Sequence, residues 1–199
     1  ISRSARVGFS LIWDTKLNLG PNSNVGNLNF ISVVSLDMKN GSLIRNMNTI
    51  YGSFNVVLNK DSRIGKNNNI SRSKSKKVVV GVSQLLLGEL ACVTKKTILD
   101  LTSDIILGDF SQLGGVGTQV WTHGYVHADY GPDRYRVDGS VKIGNNVYIG
   151  SNCLINPGVT IADKIIVGGN VCVSKSLSNP GMYVSQPLRH INANYNSIK

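Results

Sequence analysis

The chain has 199 residues, 41% of them hydrophobic, with a formal net charge of +10 and charged residues at 16%. That apolar fraction is enough for a continuous core, and no apolar run approaches the ~18–20 residues that a membrane-spanning helix needs. Three cysteines, Cys92, Cys153 and Cys172, are odd in number and lack CxxC spacing, so they read as free thiols buried in a protein of a reducing, cytoplasmic setting rather than as a disulfide framework. The basic balance points to anionic ligands: phosphates, nucleotides, acidic glycans or lipid head groups.

The first residues, ISRSARVGF, do not read as a secretory leader, and without an initial Met the numbered chain can begin inside a longer product. Six-residue units begin at LGPNSN (19–24) and VGNLNF (25–30), and the reading before about residue 36 is otherwise irregular. Ile44, Ile50, Leu58, Ile64 and Ile70 then lead a loose series in which IGKNNN is the clearest unit. The basic, Ser-rich run SRSKSKK (71–77) interrupts it and reads as a solvated loop. The register returns with Leu87, Val93, Leu99, Leu107 and Leu113, in units such as LGELAC, LGDFSQ and LGGVGT.

The largest interruption follows, about 124–140 within TQVWTHGYVHADYGPDRYRVDGSVKIG. It is bounded by Trp121 and His123 and carries His127, Tyr125, Tyr130, Tyr135, Arg134 and Arg136. From Ile143 to Leu177 the repeat is unbroken. Its leading residue is Ile143, Ile149, Ile155, Ile161, Val167 and Val173, a small residue comes next, and the fifth is Val147, Cys153, Val159, Ile165, Val171 and Leu177. Period six is neither helical nor simple strand alternation. It fits a chain that runs straight, turns a corner and repeats, three segments making a coil of about 18 residues whose successors stack as parallel strands about 4.8 Å apart. Leading and fifth residues then face inward, and the small residue fits the corner.

These units resemble the hexapeptide-repeat acyltransferases, and in particular the sugar O-acetyltransferases of surface polysaccharide assembly. The resemblance implies an all-β fold, a left-handed parallel β-helix with one long inserted loop, against the usual right-handed crossover preference. It covers one domain over 1–189, with a polar tail at 190–199. Members of the family associate as trimers with their prisms side by side, so a homotrimer with sites between subunits is expected, and the flat faces of a solenoid favour the same outcome.

In the family the catalytic histidine lies where a strand ends and such a loop leaves the coil, a position matched here by Trp121-Thr122-His123-Gly124. His123 is thus the expected general base for acyl transfer from a thioester to a hydroxyl, a task that suits a side chain whose ordinary pKa is near 6.5. His127 is the second candidate. Asp104 and Asp109, or a backbone carbonyl, are candidates to hold the far ring nitrogen, with Asp104 favoured if the insertions share one corner of the prism. Backbone N–H groups at Gly124 or Gly150 are candidate oxyanion donors.

VGGNVCVSK (167–175) and SQPLR (185–189) resemble the family's coenzyme A segments, although Ser185 and Leu188 replace Gly and Ala there. By that resemblance Gly150, Gly168, Gly169, Lys175 and Arg189 bind the donor, acetyl-CoA, and Trp121, Tyr125, Arg134 and Arg136 contact the acceptor, a saccharide or nucleotide sugar. The alternatives are N-acetylation of a nucleotide-linked amino sugar, a zinc enzyme of the carbonic-anhydrase kind, and a non-enzymatic β-helix. The zinc enzyme needs three histidines, whereas His190, the only one besides the H-x3-H pair, falls beyond the last repeat. No metal is expected. The scattered basic residues form no nucleic-acid-binding motif, and peripheral membrane contact through basic patches is compatible with the charge.

Overall fold

The computed structural model describes residues 1–73 and 81–186, and the chain winds as a left-handed, three-sided parallel β-helix. The first sheet runs in strand order from Arg6–Val7 through Asn24–Val25, Leu43–Ile44, Arg63–Lys66, Cys92–Lys95, Gln112–Val116, Tyr148–Ile149 and Ile165–Val167 to Gly181–Tyr183. The second runs from Leu11–Ile12 to Cys172–Val173, and the third from Lys16–Leu19 to Thr160–Ile161. Each strand pairs in parallel with the strand one coil above and one below, as in Ile44↔Ile64↔Val93↔Leu113↔Ile149↔Val167.

The six-residue period is a packing rule. Ile143, Ile149, Ile155, Ile161, Val167 and Val173 are at most 3% exposed, and their fifth-position partners Val147, Cys153, Val159 and Ile165 are also buried. Each interior row extends the one beneath it, so a single core threads the prism. Strands pair in register from Arg6 onward, so the irregularity expected before residue 36 is a looseness of sequence and not of winding. Exposed Leu11 and Trp13 obscure the repeat there, whereas Val25, Ile31 and Leu36 still fill the core.

Two of the corners require a left-handed backbone. Asn22, Asp61 and Asn146 take it at one, Asn67, Asn152 and Asn170 at the other, where a short polar side chain tolerates φ near 56°. Leu28, Met47, Leu90 and Phe110 adopt the same conformation against their steric preference, and the stacked strands on either side hold them there.

The third corner, between the second and third sheets, carries both long excursions: one between Asn69–Ser71 and Ser83–Leu87, the other between Gln119–Val120 and Val141–Ile143. The shared corner expected from the spacing of the insertions is present. The tail at 190–199 and Lys74 to Lys77 of the basic run lie outside the described residues. Of the cysteines, Cys153 is buried and Cys92 is intermediate, whereas Cys172 is exposed because it occupies the outward position of its two-residue strand. Among the described residues no helix is long and apolar enough to cross a membrane.

Candidate active site

The chain leaves the second sheet after Val120 and turns directly into an antiparallel hairpin, His123–His127 against Arg134–Asp138. The hairpin projects because its strands pair with each other and not with a coil. Strand alternation puts His123, Tyr125 and His127 on one face with their cross-strand partners Asp138, Arg136 and Arg134. The opposite face carries Val126, Tyr135 and Val137, all exposed.

His123 sits at the root of the hairpin and is held from below. Its Nδ1 lies 2.8 Å from Asp100 Oδ2 and 3.2 Å from Thr102 Oγ1. Asp100 ends the second-sheet strand of the preceding coil. The same carboxylate accepts the Thr122 backbone N–H at 3.0 Å and the Thr122 hydroxyl at 2.9 Å, while its Oδ1 accepts the Thr102 hydroxyl at 3.0 Å. The Thr122 hydroxyl in turn accepts the Ser103 N–H at 2.8 Å. Burial alone would raise the Asp100 carboxyl, but the hydrogen bonds from His123 and Thr122 and the His123 charge outweigh it and hold the group below the ordinary carboxylate range.

An ionised Asp100 beside Nδ1 selects the tautomer with the proton on Nδ1, leaving Nε2 as an acceptor. The imidazole is 28% exposed, so this second nitrogen can meet a ligand. Trp121 and Tyr125 flank the ring edge-on, each with centroids 6.0 Å away. Arg134 lies over the Tyr125 ring at 5.1 Å, and Arg136 pairs with Asp138 at 2.6 Å. Trp121 and Tyr125 thus flank His123, while Arg134 and Arg136 lie further along the same face of the hairpin.

The expected partner Asp104 is elsewhere: its carboxylate accepts the Gln84 N–H at 2.9 Å at the start of the third sheet. Asp109 caps another corner, accepting the Glu89 N–H at 2.7 Å. Asp100 takes the place proposed for Asp104. Leu99 and Val120 are register partners, so Asp100 lies beneath the departing chain. His127 is four residues along the strand from His123, about 13 Å at a strand's rise, and exposed, so the two imidazoles serve neither one proton nor one metal ion. Among the described residues no cluster of metal-ligating side chains forms.

The donor candidates divide between two corners. Lys175 follows the last second-sheet strand and is exposed at the corner His123 occupies, two coils further on. Gly150, Gly168 and Gly169 lie at the corner between the first and second sheets. The Gly150 N–H is given to the Val167 carbonyl at 2.9 Å and so is not free for an oxyanion, and the Gly168 N–H is given to the Tyr183 carbonyl at 2.8 Å. A Cβ at Gly150 would meet the Gly169 nitrogen at 2.8 Å, so that glycine serves the close stacking of the coils. Gly169 and Lys175 are exposed and present a polar backbone and a cation to an extended phosphate-bearing ligand. Arg189 lies outside the described residues.

No protein-family model matches the chain. It is 43% identical over 51 residues to the galactoside O-acetyltransferase of Escherichia coli (strain K12), a match that spans 26% of this chain and 25% of that protein. It is 38% identical over 61 residues to a probable macrolide acetyltransferase of Lysinibacillus sphaericus, spanning 31% and 34% of the two chains. Among solved structures, the polysialic acid O-acetyltransferase OatWY superposes with a TM-score of 0.67 at 15% identity, covering 96% of this chain and 95% of its own. The UDP-N-acetylglucosamine O-acyltransferase of Moraxella catarrhalis gives 0.50 at 15% identity, covering 99% and 73%. The fold likeness runs the length of the chain, while the sequence matches span a quarter to a third of the curated relatives. Together they bear out the resemblance to the hexapeptide-repeat acyltransferases.

Proposed function

We propose that the protein transfers an acetyl group from acetyl-CoA to a hydroxyl of a saccharide acceptor, in a cytoplasmic pathway of surface glycan assembly, with His123 as general base. The observation that carries this reading is the imidazole at the root of the hairpin, fixed through Nδ1 by a buried, ionised Asp100. The free Nε2 accepts the hydroxyl proton as the acceptor oxygen attacks the thioester carbonyl carbon, and returns it to the departing thiolate. Asp100 stabilises the imidazolium formed between the two transfers, as a buried carboxylate does in a hydrolase triad. Thr122 and Thr102 keep that carboxylate oriented. Trp121 and Tyr125 offer ring faces to a sugar, and Arg134 a cation to an acidic substituent. Lys175, Gly169 and Arg189 hold the donor's phosphates.

The catalytic corner and the glycine corner are separated by the second sheet within one prism, so both can touch a single donor only when two prisms stand side by side. The exposed Val126, Tyr135 and Val137 on the far side of the hairpin give such a neighbour an apolar seat. We propose that this neighbour belongs to a homotrimer with sites between subunits, as the family resemblance implies. The test is acetyl-CoA turnover across free oligosaccharides, lipid-linked sugars and nucleotide sugars. His123→Ala is expected to lose about 10²–10⁴-fold in kcat while coenzyme A affinity, measured by calorimetry, stays unchanged. Full turnover by that variant rejects the assignment.

A further inference from the structure

The first sheet has a charge asymmetry that the catalytic corner does not use. Its strands hold Arg6, Arg63, Lys66 and Lys95 and no aspartate or glutamate, whereas the strands of the second sheet hold no lysine or arginine. With Arg45, just past the strand Leu43–Ile44, Arg63, Lys66 and Lys95 line a cleft of about 390 Å³ floored by Gly65 and Gly115 and edged by Thr94 and Gln112. Among the described residues none of these four cations is paired with a carboxylate.

Lys66 and Lys95 are direct register partners on adjacent parallel strands. Like charges opposite each other across a ladder repel, and a nearby acid would relieve them; here the cations converge on a concavity instead. Arg45 and Arg63 also both act electrostatically on the half-buried Cys92 thiol, which burial pushes up and they pull down. Arg6 stands further down the same sheet, reached through the register Arg6↔Asn24↔Leu43↔Arg63, with the uncharged Asn24 and Leu43 between the two cations. Three strand spacings make that about 14 Å, longer than any one anionic group. Arg3 and Arg6 line a second cleft there, of about 410 Å³.

We propose that this face is a binding site for an extended, carboxylate-bearing saccharide chain, separate from the His123 corner. Two basic clefts set apart along one sheet suit an extended polymer with repeated charges. The concavity suits a threaded chain better than a flat bilayer surface, and no aromatic side chain lines either cleft to stack a nucleobase. The saccharide class rests on the acetyl-transfer reading given above, and it deepens that reading by making the acceptor an acidic glycan held at a distance from the reacting hydroxyl.

The test measures binding directly, without turnover. The full chain is titrated with hexagalacturonate, with its fully methyl-esterified form, with single-stranded oligodeoxynucleotide and with vesicles containing phosphatidylglycerol, all at the same low salt. Hexagalacturonate is expected to bind and its neutral ester not to. Lys66→Gln/Lys95→Gln is expected to weaken binding about tenfold, two exposed ion contacts' worth. That variant is also expected to melt no lower than the wild type, because a repulsion has been removed. His123→Ala is expected to bind as the wild type does. Absent binding, binding indifferent to the double substitution, a lower melting point of that variant, or equal affinity for the oligonucleotide or the vesicles overturns the proposal. Acetyl transfer without saccharide binding sinks this site alone, and saccharide binding by a protein that transfers no acetyl group sinks the enzymatic reading alone.

Discussion

Asp100 is the residue on which the site turns. Its carboxyl is held below the ordinary range, so the stability it contributes is present in full above the unfolded value, near ~4, and is lost as pH falls through the folded value. Asp100→Asn should therefore lower stability by about 1–3 kcal/mol at pH 7, through the hydrogen bonds to Thr122 and His123. The deficit should shrink only as pH falls through the folded value, below the ordinary carboxylate range, where the wild-type carboxylate is protonated as well. Urea denaturation at a series of pH values reads this, and a deficit independent of pH would deny Asp100 its charge. The same variant should lower kcat by about 10²–10⁴-fold, because an amide can donate to Nδ1 and favour the wrong tautomer. His123 was legible in the sequence because it stands where an unbroken repeat breaks. Asp100 was not, because residues 101–104 form a corner between the second and third sheets, and the six-residue period does not say which end of that corner lies beneath His123.

At the scale of the element, the coil is held by more than its apolar rows. At the corner between the first and second sheets, Asn29, Asn48 and Asn68 form a buried ladder. Each side-chain oxygen accepts the backbone N–H and the amide of the next, as Asn29 does from Asn48 at 2.9 and 3.0 Å. Asn68 repeats this on Asn48 at 3.0 Å for both bonds, and Thr97 closes the series at 2.9 Å. Asn48 also donates to the Gly65 carbonyl at 2.8 Å. Asn48→Ala removes the acceptor of the buried Asn68 N–H and a donor to the Gly65 carbonyl, and should cost about 2–4 kcal/mol. Exposed Asn18→Ala should cost under about 0.5 kcal/mol. Comparable losses would show that the ladder carries no more than a surface contact does. The apolar rows were readable by their period, since each leading aliphatic must stack on the last. The ladder was hidden because asparagine is also what turns select, and nothing in the sequence separates a stacked Asn48 from the left-handed Asn67.

For the whole molecule, the winding sets what one chain can and cannot assemble. Successive coils carry a residue straight up its own edge, so groups on different corners never converge within a prism, however many coils are added. On the proposed assignment, His123 and Lys175 on one edge and Gly169 on another would share a donor between neighbouring chains. The expected assembly is a cyclic trimer of about 65 kDa, three chains of 21.5 kDa, by sedimentation equilibrium. Co-assembly gives the sharper test. His123→Ala and Gly169→Trp each inactivate one half of every site, and trimers mixed at random from the two should recover about a quarter of wild-type turnover, because one interface in four then joins an intact histidine edge to an intact glycine edge. If both halves came from one chain, every chain in the mixture would be defective and no activity would return. Recovery near a quarter, rising with the extent of subunit exchange, is therefore possible only for a site divided between neighbours.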